Sequence, residues 1–372
     1  MDAGGDDWLM PSLGIAAPPS RWTEFLAEVA SAIAKANASP LPAGIQSGAV
    51  SAEAQAIADS LLSGSNKAVL LGSAAIAHPY ASNLHVLAQF IAEQTGATFG
   101  FLPVGGNAVA APLVQAVQQK ANAGIESILD GSARAVLLLN LEPLSDLPNP
   151  EQARLAMAKA DTVIALTAFA SSELLELADV LLPITPFTES VGSFINAAGT
   201  VQTIQPSVRP LADARPAWKV LRAIGSLLGL NGFLLNTPEE VCGEALAKPM
   251  TERLNNQFTA ALSITPESPI NGLERVSDLP IYGVDAIVRR APALQLTRDA
   301  KNACRAGLNS STFSELNLKE GDVVRITQAD KSVEMPAMLE TQLASGCVRI
   351  SSTTTASSAL GPMFGAVTVS RV

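Results

Sequence analysis

Residues 181–206 read LLPITPFTESVGSFINAAGTVQTIQP: an apolar run that stops at Pro183, an acid at Glu189, glycines at Gly192 and Gly199, an amide at Asn196, then the alternating Val201, Thr203 and Gln205. Proline donates nothing to a strand ladder, so Pro183 and Pro186 end the apolar strand 179–182. Gly192 and Gly199 permit two sharp changes of backbone direction. Glu189 and Asn196 are expected to satisfy the amides of this glycine-rich turn, Asn196 as an Asx-turn or a positive-φ residue. A general acid or base is the other role open to Glu189, but Thr188 and Ser190 give it no partner for catalysis.

Upstream of this segment the chain alternates between buried-type strands and amphipathic helices. Strands are expected at 67–71, 97–102, 135–139, 162–166 and 179–182, with helices at 82–94, about 111–121, 150–159 and 171–177 between them. Nearly continuous apolar strands separated by helices require a parallel sheet covered on both faces. Residues 20–262 therefore read as a doubly wound, mostly parallel α/β domain. It begins with a helix capped by Ser20 and a second helix over 51–62, and ends in helices 215–229 and 238–262. A Pro-rich linker is expected at 263–290. Short alternating strands at 320–327, 332–340 and 346–352 then make 291–372 a small β-barrel. Residues 1–19, rich in Gly, Asp and Pro, read as a disordered tail or a remnant foreign to the fold.

Composition narrows the functional classes. With 48% apolar and 16% charged residues, the 372-residue chain buries a large core. The balance of 24 basic to 34 acidic residues, without a Lys/Arg cluster, argues against nucleic acid or an anionic lipid surface as partner. The uncharged runs 68–92 and 94–119 are interrupted by Gly72, His78-Pro79, Gly96, Pro103 and Gly105-Gly106, and a bilayer span needs about 20 continuous apolar residues. Neither run is expected to enter a membrane, and Asp2, Asp6 and Asp7 stand where a signal peptide would be basic. Cys242, Cys304 and Cys347 are scattered and read as three small buried hydrophobes. His78 and His85 lack further ligands in the pattern, so no metal site is expected. Gly72-Ser73, after a strand and before a helix, occupies a phosphate-holding position without the GxGxxG pattern, and a plain turn is the stronger reading.

The run ADVLLPITPFTESVGSFINAAGTVQ, 178–202, resembles the molybdopterin oxidoreductases, in which an ADVVLP-type strand leads to a Glu, a Gly-(Ser/Thr)-Phe step, an Asn and a Gly before a Val-Gln strand. The similarity falls on Ala178, Asp179, Leu182, Pro183, Glu189, Gly192, Ser193, Phe194, Asn196, Gly199, Val201 and Gln202. LNLKEGDVVRIT, 316–327, is similar to the start of the pterin-dinucleotide-binding barrel of that superfamily. HPYASNLHVLAQFIAEQTGATFGFLPVGGNAVAA, 78–111, resembles one branch, the large peripheral subunit of bacterial NADH:quinone oxidoreductase, complex I. Two departures accompany the resemblance. The cysteine-rich region that holds iron-sulfur clusters in that large subunit has no counterpart here, and Ala-Ala-Gly-Thr at 197–200 stands where an acid, a Gly and an Arg are usual.

The resemblance implies the C-terminal part of the large peripheral subunit: a non-catalytic scaffold of the proton-translocating respiratory enzyme, without cofactor of its own. Iron-sulfur clusters would lie in an N-terminal part and the pterin groove, with molybdopterin, would be disused. Gly72, Ser73, Thr167, Glu189, Ser193 and Asn196 are the candidates for that vestigial groove, with no catalytic and no metal-binding residue. The implied partners are other peripheral-arm subunits at the cytoplasmic face of the bacterial inner membrane. Two further readings stay open: a fragment of an active molybdopterin-dependent oxidoreductase that still binds the pterin, and a free-standing nucleotide-binding protein using Gly72 and Thr167 at strand ends. Because clusters usually take four thiolates and three scattered cysteines cannot supply them, the purified chain should be colourless. Iron and sulfide analysis after anaerobic reconstitution should find neither in stoichiometric amount.

Overall fold

A computed structural model describes residues 1–4, 9–45, 48–116, 124–147, 149–258, 263–354 and 357–372. Strands β1 (Ala68–Gly72) and β2 (Thr98–Leu102) pair in parallel, and β3 (Ala135–Leu139), β4 (Thr162–Thr167) and β5 (Val180–Pro183) form a second parallel sheet in that order. Strands β6 (Gly192–Ile195) and β7 (Val201–Ile204) make an antiparallel hairpin. The last six, β8 (Leu273–Val276), β9 (Ala306–Leu308), β10 (Val323–Gln328), β11 (Lys331–Leu339), β12 (Cys347–Arg349) and β13 (Gly365–Arg371), close into a barrel in the order β10-β11-β9-β12-β8-β13. The expected α/β class with a small barrel is present, and the strand bounds of its α/β part fall within one or two residues of those read from the pattern.

Two compact units result: Met1–Val104 with Asn256–Pro280 and Arg298–Val372, and Gly105–Asn255 with Ile281–Thr297. The α/β span expected at 20–262 is thus divided. Its first part joins the barrel's unit because Leu71 and Leu84 share a core with Val276, Cys347 and Phe364. In the barrel, strict alternation along β10 turns Val324 and Ile326 inward, and along β11 Val333, Met335 and Ala337. Closure leaves no sheet edge for these strands to expose.

Several local expectations are corrected. Ser20 does not cap the helix Trp22–Asn37, which has no side-chain cap. Its backbone N–H donates to Glu274 Oε2 at 3.1 Å and its hydroxyl to Glu274 Oε1, because a buried carboxylate is a stronger acceptor than any neutral group nearby. Ser51 does cap its helix, Ala52–Ser63, accepting from Ala54 N. The helix expected over 238–262 stops at Ala245 and a short one follows at Met250–Arg253, since Pro249 removes a donor and disfavours helix at Lys248. Residues 259–262 of that expectation, and 117–121 of the helix expected at 111–121, lie outside the described residues; Ala110–Leu113 is helical. The 1–19 segment is not a loose tail where it is described: Ala3 is buried, Asp2 N donates to Ile15 O at 3.1 Å, and Ala344 N donates to Ala3 O at 2.9 Å.

The segment 263–290, expected as a linker, supplies strand β8, whose pattern Leu-Glu-Arg-Val does not alternate in polarity. Both of its charged residues are buried. Arg275 is only 2% exposed and, among the described residues, has no carboxylate paired with it. Its Nε donates to Ser277 Oγ at 3.0 Å, and its Nη1 to Gln328 Oε1 at 2.9 Å and to the carbonyls of Gly361 and Pro362 at 2.9 and 3.1 Å. Burial pushes this guanidinium down to about 10, which leaves it charged at neutral pH.

His78 is buried beside Trp22, Tyr80 and Phe364, with ring centroids 5.5, 6.1 and 5.4 Å away. Its Nδ1 accepts from Tyr80 N at 3.1 Å, which requires that nitrogen unprotonated. Burial lowers its pKa from 6.5, against the smaller opposing pull of Glu267, the Pro19 carbonyl and Glu274. A base depressed on folding favours the unfolded chain once protons are plentiful. The stability it supports is therefore complete above 6.5 and is lost as pH falls through the lowered folded value. Thermal melting should show the protein weaker at about pH 5 than at about pH 7.5, with a flatter profile in His78→Phe.

Candidate functional site

The hairpin β6–β7 organises the second unit's candidate site. Its register pairs Gly192 with Ile204, Ser193 with Thr203, Phe194 with Gln202 and Ile195 with Val201. At the tip Asn196 Oδ1 accepts from Ala198 N and Thr200 N, both at 3.0 Å, and Gly199 takes φ +79°. This is the Asx-turn expected of Asn196. Along β6, Asn107 acts as a substitute strand: its Oδ1 accepts from Ile195 N at 3.0 Å and its Nδ2 donates to Ser193 O at 3.2 Å. In the sequence Asn107 directly follows Gly105-Gly106 and reads only as part of a turn, because the hairpin it serves lies more than eighty positions away.

Opposite this hairpin stands the helix Pro238–Ala245, held at its start by a capping box in which Thr237 Oγ1 accepts from Glu240 N and Glu240 Oε2 from Thr237 N. Between them is a cavity of about 720 Å³ lined by Ala110, Val114, Val191, Ile195, Val241, Leu246 and Trp218 among others. Ser193 Oγ and Cys242 Sγ meet at its wall, 3.6 Å apart. Glu239 is the one charged residue among its described lining residues. A neighbouring cavity of about 800 Å³ shares Val114, Val241 and Ala245 and carries Lys248 and Arg253 balanced by Glu244 and Glu252.

The other candidates sit elsewhere. Glu189 does not serve the glycine-rich turn; its Oε2 accepts from Leu211 N at 3.1 Å, because the chain returns through 207–211 beside residues 187–189. Thr167, buried at the end of β4, spends its hydroxyl on Phe169, donating to its carbonyl at 2.8 Å and accepting from its N–H at 3.1 Å. Gly72 and Ser73 belong to the first unit. Gly72 is extended at the start of a four-residue helix, and Ser73 lines a small cavity of about 170 Å³ with Trp22, Asp278 and Arg349. Arg349 there is paired with Glu340, Nε to Oε2 at 2.9 Å, a carboxyl whose pKa burial raises and Arg349 partly restores.

The carboxyl edge of the β3–β4–β5 sheet carries a cluster of paired charges that was not anticipated. Glu142, just after β3, is 4% exposed and receives Arg289 at 3.1 Å and Arg290 at 2.5 Å. Arg289 also reaches Asp146 at 2.7 Å, and the Arg290 guanidinium lies 4.7 Å from the Phe169 ring centroid. Glu173 accepts from Leu144 N and Ser145 Oγ; burial raises its pKa, and Glu142 and Asp146 add to the rise. The two guanidiniums thus pair with two carboxylates, Glu142 and Asp146, and Glu173 lies beside them on Leu144 and Ser145.

The cysteines differ from the expectation of three buried hydrophobes. Cys347 is buried and its thiol is pushed up to about 12 by burial, but Cys242 is half-buried and Cys304 exposed. Among the described residues no three His, Cys, Asp or Glu side chains are grouped to hold a metal ion. His85 instead shares a hydrogen bond of 2.9 Å with Asn256 O. No described helix is long and apolar enough to cross a membrane.

Residues 43–227 match the molybdopterin oxidoreductase family. The chain is 30% identical over 221 residues to the G subunit of the NADH-quinone oxidoreductase of Streptomyces coelicolor, covering 57% of this chain and 25% of that protein. It is 25% identical over 232 residues to the alpha subunit of the NADPH-Fe(3+) oxidoreductase of Geobacter sulfurreducens, covering 60% of this chain and 27% of that one. The chain therefore spans about a quarter of the length of these curated relatives. Among solved structures, acetylene hydratase from Pelobacter acetylenicus superposes with a TM-score of 0.49 at 13% identity, over 86% of this chain and 53% of that one.

Removing one member of a buried ion pair typically costs about 3–5 kcal/mol, whereas exposed pairs contribute about 1 kcal/mol or less. Glu142→Ala should therefore lower the melting temperature clearly and accelerate hydrogen exchange over 281–297. Arg134→Ala, which breaks the exposed pair with Asp161, should leave both nearly unchanged.

Proposed function

Residues 43–227 of this chain carry a molybdopterin oxidoreductase domain, and from that premise we propose that the chain is a structural, non-catalytic portion of the large peripheral-arm subunit of an NADH:quinone oxidoreductase. In this reading the domain scaffolds the electron-transfer arm beside other peripheral-arm subunits, at the cytoplasmic face of the inner membrane. The pterin groove is disused, and iron-sulfur clusters belong to other parts of the large subunit. The similarity to the Streptomyces protein supports the assignment within the family.

One observation carries the loss of the cofactor. A pterin dinucleotide brings phosphates, and a buried anion without cationic or amide partners is costly. The cavity against hairpin β6–β7 has no Lys or Arg among its described lining residues, and its one charge, Glu239, has the wrong sign. At the neighbouring sheet edge Arg289 and Arg290 are committed to Glu142 and Asp146. The hydroxyl of Thr167 and the side-chain oxygen of Asn196 are committed to local backbone. These residues do not fit the group, and no reaction step is assigned to it.

The competing reading, a fragment of an active molybdopterin enzyme, rests on the same family membership. Native mass spectrometry of the chain produced in cells that synthesise molybdopterin, with elemental analysis for Mo and W, separates the two. A chain at its bare mass without either metal is expected. A pterin adduct would transfer the assignment to the enzyme reading.

A further inference from the structure

We propose that the cavity between hairpin β6–β7 and the helix Pro238–Ala245 binds an uncharged, predominantly apolar small molecule that turns one polar group toward Ser193 and Cys242. The inference goes beyond the scaffold assignment and does not depend on it. A volume of about 720 Å³ lies within the range of small-molecule pockets, which are mostly apolar with a few convergent polar groups. Here the apolar walls come from Val114, Val191, Ile195, Val241 and Leu246, with the indole of Trp218 as a flat face.

The polar groups are few and unequal. Asn107 is already bonded twice to the hairpin backbone, and Thr203 and Gln205 on the rim are exposed, whereas Ser193 Oγ and Cys242 Sγ, both partly buried, form an adjacent pair offering both a donor and an acceptor. Charge selects the ligand further. Glu239 is the only charged lining residue among those described, so an anion meets repulsion without compensation. The cations closest to the indole face, Lys219 at 5.4 Å and Arg222 at 6.0 Å from the ring, are not lining residues, and Arg222 is engaged with Leu235 O and Asn236 Oδ1.

The walls are also fixed before any ligand arrives. Asn107 and the Asn196 turn hold the hairpin, and the Thr237–Glu240 box holds the opposing helix. A preformed pocket spares the ligand an ordering cost.

Cys242 makes the site directly testable in the full chain. Replacing the exposed Cys304 in Cys304→Ser removes the competing thiol, and buried Cys347 serves as an internal standard of integrity. Benzyl methanethiosulfonate, which is uncharged, and sulfonatoethyl methanethiosulfonate, an anion, are then compared, each rate being divided by its rate with free cysteine. The uncharged reagent should be favoured several-fold, as expected for apolar walls beside one exposed, solvent-screened negative charge. Nile red, an uncharged apolar dye, should quench Trp218 and slow modification of Cys242 in proportion to its occupancy. Equal normalised rates for the two reagents, or dye binding that leaves Cys242 unprotected, would overturn the proposal. Neither readout responds to whether a pterin adduct is found, so failure here is separable from failure of the scaffold assignment.

Discussion

A charge taken out of water must find partners, and each unit of this protein is closed by residues that obey that constraint. In the first unit the neighbours Glu274 and Arg275 of β8 are both buried. Glu274 accepts from Ser20 at the entrance to the first helix, and Arg275 donates to Gln328 and to the carbonyls of Gly361 and Pro362. A single dipeptide thus fixes the start of the chain, the barrel wall and the 361–364 loop. In the second unit Glu142 gathers Arg289 and Arg290, tying the 281–297 segment to the edge of the β3–β4–β5 sheet. All four of these charged residues from 274 to 290 come from the stretch whose prolines and lack of periodicity resemble a linker.

The same requirement shapes the candidate site by its neglect. Where cations gather, at Glu142 and at Glu340, they are matched by carboxylates within each unit. Where a cavity opens beside the hairpin, its described lining is apolar apart from Glu239 and a handful of neutral polar groups. The molybdopterin oxidoreductase domain of residues 43–227 thus places a cavity with few charges beside its hairpin. Gly199 and Asn196 preserve the turn because backbone geometry demands them, with Gly199 at φ +79° and Asn196 accepting two amides.

Much of the fold was legible from local pattern. The parallel strands, the helix over 51–62, the Asn196 turn and the alternation of β10 and β11 are all decided within a few residues. What stayed hidden were features with partners far along the chain. Ser20 reads as a cap until Glu274 is known to lie beside it, and Asn107 reads as a turn until β6 supplies its amide. Of the six groove candidates, Ser193 lines the large cavity, Ser73 lines a small one in the other unit, and Thr167, Glu189 and Asn196 are absorbed by local or loop hydrogen bonds.

The sequence by itself determined the α/β class with its barrel, the family resemblance carried by 178–202, and the acidic charge balance without a Lys/Arg cluster. Those properties depend on periodicity, on turn chemistry and on composition, all of which are local or additive. The tertiary structure alone decided that β8 completes the barrel, that Leu71 of β1 shares a core with Val276 of β8 and Cys347 of β12, and that Cys242 comes to lie 3.6 Å from Ser193. It also assigned Arg289 and Arg290 to Glu142. The physical reason is that desolvation is a property of position: a charged or apolar side chain declares its role only once the chain has settled which surfaces are withdrawn from water.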